Sequence, residues 1–68
     1  MRIVLNGSPR EVSDRANVEE IVATLGRDPS ARGIAVAIDG EVVPRRDWSS
    51  TSVAEDARVE VLTAVQGG

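Results

Sequence analysis

Residues 1–26 read MRIVLNGSPREVSDRANVEEIVATLG, and the fold turns on the change of period inside them. Arg2 to Asn6 is rich in branched apolar residues and reads as a strand. Met1, Ile3 and Leu5 share one face; Arg2, Val4 and Asn6 share the other. Asn6-Gly7 signals a tight turn, because both residues tolerate positive φ. The returning strand is expected over Arg10 to Ser13, with Pro9 at its start, where a missing N–H costs least. From Asn17 onward the period becomes helical. Val18, Ile21, Val22 and Leu25 follow the i, i+3, i+4, i+7 pattern and make one apolar face. Asn17 is a good N-cap, and Glu20 can complete a capping box. Glu19 and Glu20 sit where the helix dipole favours negative charge. Gly26 stops the helix and Pro29 prevents its continuation. A helix of about two turns is marginal by itself, so it must lean on a sheet.

Downstream, Ile34-Ala35-Val36-Ala37-Ile38 alternates large and small apolar residues and reads as a buried strand, with Ile34, Val36 and Ile38 packing together. Asp39-Gly40 is a second hairpin turn, followed by a brief strand over Glu41, Val42 and Val43 that Pro44 ends. Arg45 to Ser50 is expected to form a single helical turn carrying Trp48, and Glu55-Asp56 to lie in a turn. Arg58 to Val65 is the last strand, with Val59, Val61 and Thr63 on one side and Glu60, Leu62 and Ala64 on the other. This order predicts an α+β domain: a mixed sheet of four or five strands with one helix packed on one face. That is the β-grasp, ubiquitin-like arrangement, in which the first and last strands lie side by side at the centre and run parallel. Residues 1–65 form the domain, and residues 66–68 a flexible C-terminal tail.

Composition narrows the function. A 68-residue chain allows one domain. Folding at this size buries only about 60% of the exposable surface, which leaves little room for an enclosed substrate pocket. There is no Cys, no His, no Tyr and no Lys, and Trp48 is the one aromatic residue. Thiolate chemistry, disulfides and the commonest metal ligand and general base are therefore absent. Carboxylates, hydroxyls, guanidinium groups and the chain ends remain, which argues against a free-standing enzyme and against a metal site. Glu19-Glu20 and Glu55-Asp56 read as a helix start and a turn rather than as ligands. Ser49 to Ser52 is a hydroxyl-rich loop with no base to activate it. The net charge of -3 speaks against nucleic acid and for partners with basic docking surfaces. No apolar run approaches the roughly 20 residues that span a bilayer, so no membrane association is expected. With no signal-peptide pattern at the start, the expected location is cytoplasmic.

Ile3-Val4-Leu5-Asn6-Gly7, the helix with Val18, Ile21 and Leu25, and Ala37-Ile38-Asp39-Gly40 form a familiar set, together with Val43-Pro44-Arg45 and Trp48, Glu55-Asp56 and the ending Val65-Gln66-Gly67-Gly68. In these residues the chain resembles the ThiS family, the sulfur carriers of thiamine (thiazole) biosynthesis. The likeness covers the whole chain, and Val-Pro-Arg-x-x-Trp followed by Gly-Gly discriminates best. The resemblance implies a cycle run by partners. An adenylating (activating) enzyme uses ATP on the carboxylate of Gly68. A sulfur donor protein or sulfide source then makes a thiocarboxylate, and thiazole synthase takes the sulfur. The carrier binds no cofactor itself. Rival readings are a sulfur carrier of molybdopterin or amino-acid biosynthesis, a ubiquitin-like protein modifier joined through Gly68, and a plain interaction domain.

Glycine suits such an ending. Without a Cβ, Gly67 and Gly68 can thread a narrow channel and leave the last carbonyl open to attack, with Gln66 placed to contact the partner. A chance Gly-Gly ending has odds of about one in 200 at average glycine usage. Leu62, Val4 and Ala64 are expected to face away from the helix on neighbouring central strands. An apolar patch there marks a docking surface, with Glu60 available to basic partner residues. Trp48 is expected to cover the open end of the core and Pro44 to end a strand; Arg45-Arg46 reads as a solvated pair.

Overall fold

The computed structural model describes residues 1–64. Its elements are strands β1 (Arg2–Leu5) and β2 (Ser8–Glu11), helix α1 (Val18–Thr24), and strands β3 (Ile34–Ile38), β4 (Glu41–Val42) and β5 (Arg58–Thr63). A single 3₁₀ turn spans Arg45–Asp47. The five strands form one sheet in the order β2-β1-β5-β3-β4. The central pair β1·β5 is parallel, while β1·β2, β3·β5 and β3·β4 are antiparallel. This is the β-grasp arrangement, with five strands.

The two hairpins turn where the Asn-Gly and Asp-Gly pairs lie. Asn6 and Gly7 adopt φ of 50° and 82°, and Asp39 and Gly40 adopt 49° and 87°. The first hairpin is tighter than the expected start at Arg10: Ser8 stands opposite Leu5, so β2 begins at once and ends at Glu11. Pro9 lies inside β2, opposite Val4. Val4 donates its N–H to Ala57 C=O at 2.9 Å, on the β5 side. The Val4–Pro9 pair is therefore a non-hydrogen-bonded one, and the proline nitrogen faces the open edge, where it lacks nothing. Val43 falls just beyond β4 but still donates to Val36 C=O at 2.8 Å.

Helix α1 carries the capping box in full. The Asn17 side chain accepts from Glu20 N–H at 2.8 Å, and Glu20 accepts from Asn17 N–H at 3.2 Å. Two further donors of the first turn find main-chain carbonyls: Val18 N–H bonds Thr51 and Glu19 N–H bonds Trp48. Val18, Ile21 and Val22 are buried against the sheet with Ile3, Leu5, Val36, Val59 and Val61; Trp48, Val53, Ala16 and Ala57 complete the core. Trp48 closes one end as expected: it is 2% exposed, and its indole N–H donates to Val43 C=O at 3.0 Å. No helix among the described residues is long and apolar enough to cross a membrane.

Candidate functional site

The helix covers one face of the sheet; among the described residues nothing covers the other. Alternation along β5 sends Val59 and Val61 into the core and leaves Arg58, Glu60 and Leu62 exposed. Register carries that face outward in both directions. Leu62 stands opposite Ala35, Glu60 opposite Ala37, and Ala37 in turn opposite Val42. On the other flank Val4 stands beside Arg58. Leu62 and Val42, 65% and 73% exposed, are the large exposed hydrophobic residues among those described. Between them Ala35 and Ala37 are too short to fill the surface, so a shallow depression forms, edged by Gly40, Val42, Glu60 and Leu62. A second hollow runs along Val4, Asn6, Gly7, Arg58 and Glu60.

The four residues expected to dock a partner thus share one neighbourhood. Leu62 and Glu60 lie on the open face, Val4 is half-buried on the adjacent strand, and exposed Ala64 follows the end of β5. Val42, Ala35 and Ala37 belong to the same patch and were missed. Their signal was the alternation of Ile34 to Ile38, which hides the large residues and turns the alanines outward. Val42 needed the hairpin register as well.

Strand β5 is held by both hairpin turns, at its first residue, Arg58, and at Val61 within it. Asp39 donates its N–H to Arg58 C=O at 2.8 Å and accepts from Arg58 N–H through Oδ1 at 2.9 Å. Asn6 accepts from Val61 N–H at 2.8 Å and donates to Val61 C=O at 3.3 Å. The strand then leads toward Gln66, Gly67 and Gly68, which with Val65 lie outside the described residues.

A second set of polar groups organises the loop after α1. The Arg45 guanidinium lies 4.3 Å from the centroid of the Trp48 ring and donates to the carbonyls of Pro29 and Ala31. Arg45 is therefore a latch for the loop after α1 rather than half of a solvated pair. Asp28 accepts from the N–H and hydroxyl of Ser30 at 2.9 and 2.7 Å. Those two bonds, with nearby Arg45, hold its carboxyl below the ordinary value. No group of three or more His, Cys, Asp or Glu residues able to hold a metal occurs among the described residues.

Residues 3–68 match the ThiS family. A solved structure of a thiamine biosynthesis protein (ThiS) from Geobacter metallireducens superposes with a TM-score of 0.81, at 31% identity, over the whole of both chains. Thiazole synthase of Paramagnetospirillum magneticum is 31% identical over 68 residues, which is all of this chain and 20% of that protein. Threonine–tRNA ligase of Pelobacter propionicus is 33% identical over 58 residues, or 85% of this chain and 8% of the ligase. The chain thus spans a fifth or less of these two longer proteins.

Proposed function

Because this chain belongs to the ThiS family, we propose that it is a sulfur carrier of thiamine biosynthesis, loaded on the carboxylate of Gly68. The observation that carries the reading is the match of residues 3–68, which runs through Gln66-Gly67-Gly68. It is joined to a β-grasp body that superposes on a thiamine biosynthesis protein over its full length.

The chemistry follows from what a carboxylate lacks. Its charge is spread over two oxygens, which makes it a poor electrophile. An adenylating enzyme remedies this: a carboxylate oxygen attacks the α-phosphorus of ATP, and pyrophosphate leaves. Hydrosulfide then attacks the acyl carbon, and AMP leaves with the bonding electrons. A persulfide donor does the same with a further thiol to cleave the resulting acyl disulfide. The product is a thiocarboxylate on Gly68, nucleophilic through sulfur, which thiazole synthase consumes. The carrier supplies no catalytic side chain. With no Cys in the sequence, no thiol of its own competes for the activated carbonyl.

Thiazole synthase as the receiving partner is supported by a thiazole synthase that contains a stretch similar to this whole chain. Leu62, Val42, Val4, Ala64 and Glu60 form the docking face, in which an apolar centre meets aliphatic partner residues and Glu60 meets a basic one. Intact mass spectrometry after incubation with adenylating enzyme, ATP and a sulfur source tests the reading. One oxygen-to-sulfur exchange, confined to the C-terminal peptide, is expected. Deletion of Gly68 should abolish it and leave the fold intact; retained loading would refute the site. Protein-sized conjugates would instead indicate a modifier. Capture of the large molybdopterin-synthase subunit in place of thiazole synthase would move the carrier to another pathway.

A further inference from the structure

The sequence holds two asparagines, Asn6 and Asn17, and they have different neighbours. Asn6-Gly7 forms the turn between β1 and β2, and both residues are exposed. A Cβ built at Gly7 would meet nothing within 4 Å, so the space beside its nitrogen is open to water. Asn17 precedes Val18, which is fully buried and whose N–H donates to Thr51 C=O at 3.0 Å. The main-chain nitrogen after an asparagine is a nucleophile tethered within ring-closing reach of the side-chain Cγ. At Asn17 that nitrogen is shielded and engaged. At Asn6 it is bare.

What restrains Asn6 is β5. Its Oδ1 accepts from Val61 N–H at 2.8 Å and its Nδ2 donates to Val61 C=O at 3.3 Å. Val36, across from Val61, turns its C=O to Val43, so the main-chain groups of Val61 face Asn6 rather than β3. Ring closure needs Cγ turned toward the Gly7 nitrogen, off its staggered setting, and the carboxamide must leave Val61 to get there. We infer that Asn6 is a site of spontaneous deamidation, gated by the opening of its two bonds to Val61. The Gly7 nitrogen gives its proton to solvent and bonds to Cγ. The Cγ–Nδ2 bond breaks, and ammonia leaves with a proton taken back from solvent. Water then opens the cyclic imide. Attack at Cγ gives aspartate; attack at the main-chain carbonyl carbon gives isoaspartate, with the chain running through Cγ. Aspartate cannot donate to Val61 C=O and sets a carboxylate beside it. Isoaspartate also adds a carbon to the turn that decides the register of β2. Either product weakens the hold on the stretch of β5 that carries Leu62. The inference rests on the fold alone and holds whether or not Gly68 carries sulfur.

The wild-type chain tests this in mildly alkaline buffer, folded and in denaturing urea. Peptide mapping and an isoaspartate-specific methyltransferase serve as detectors. In urea Asn6 should convert to aspartate and isoaspartate, with Asn17 slower by about tenfold or more because the branched Val18 crowds its nitrogen. In the folded chain Asn6 should convert more slowly than in urea, by about tenfold or more. Val61 N–H donates to Asn6 Oδ1, so its hydrogen exchange reads the same opening. Sub-denaturing urea should speed Val61 exchange and Asn6 conversion by the same factor. Equal conversion rates in the folded and unfolded chains overturn the proposal. So does Asn6 conversion that stays constant while Val61 exchange accelerates, and so does conversion of Asn17 ahead of Asn6 in the folded chain. A folded chain whose Val61 amide exchanges by local opening and whose Asn6 yields no product overturns it too.

Discussion

Trp48 ties three segments together: its ring fills the end of the core, its N–H holds Val43, and its face carries Arg45, which holds Pro29 and Ala31. Trp48→Ala should cost about 3–5 kcal/mol in urea unfolding followed by circular dichroism. Arg45→Lys keeps the charge but loses the planar fork, so it should cost less, on the order of 1 kcal/mol. Asn6 makes a sharper test. Asn6→Gly keeps the positive φ and loses only the carboxamide, whereas Asn6→Ala loses the carboxamide and must also adopt a φ near 50°. Asn6→Ala should therefore be the less stable by about 1 kcal/mol, a reversal of the usual order of alanine and glycine. Equal stabilities would mean that the turn relaxes at no cost. Asn6 also marks how far a sequence can be read at this scale. Its turn is legible from the neighbouring glycine. Its bonds to Val61, 55 residues away, are not, because no local pattern records which strand will lie alongside. Arg45 was opaque for the same reason: the carbonyls it holds lie 14 and 16 residues upstream.

Elements with a strong period and explicit ends were the most legible. Helix α1 has both, and its capping box, apolar face and glycine stop all stand where the sequence puts them. Asn17→Ala should cost about 1–2 kcal/mol, because the cap is lost together with the bond from its Nδ2 to Ser49 C=O. Chemical denaturation would show this as a lower midpoint at unchanged slope. Strand β2 was less legible. All four of its residues are exposed, so no alternation marks its register, and the two-residue turn alone decides it. The loop after α1 has a titratable lock in Asp28. Its carboxyl titrates below the ordinary value because Ser30 donates to it twice, so the ionised form is favoured in the folded chain. The sign follows: this stabilisation is present above the ordinary carboxylate pKa and is lost as pH falls through the lowered one. The Ser30 amide proton resonance should shift with that lowered midpoint. A midpoint at or above the value of a free aspartate would contradict the geometry.

At the scale of the whole molecule, one helix covers one face of the five-strand sheet, and among the described residues the other face is open to a partner. An acidic chain with net charge -3 favours a basic partner, so association should slow as salt rises. The centre of the face is nevertheless apolar, and desolvation of Leu62 and Val42 should hold the complex once formed. The two contributions separate by mutation. Leu62→Arg places a charge in the apolar centre without touching the core, since the side chain is already 65% exposed. The melting temperature should stay within a degree or two, while affinity for thiazole synthase measured by calorimetry falls about tenfold or more. Val42→Arg, two strands away on the same face, should weaken binding in the same direction if the patch works as one surface. Ala23→Arg, on the exposed side of α1, makes the same charge change on the opposite side of the sheet and should leave affinity within about twofold. If all three arginine variants bind alike, net charge governs the encounter and the apolar face has no role in holding the partner. If Leu62→Arg alone weakens binding, the interface is narrower than the patch and centres on the outer side of β5.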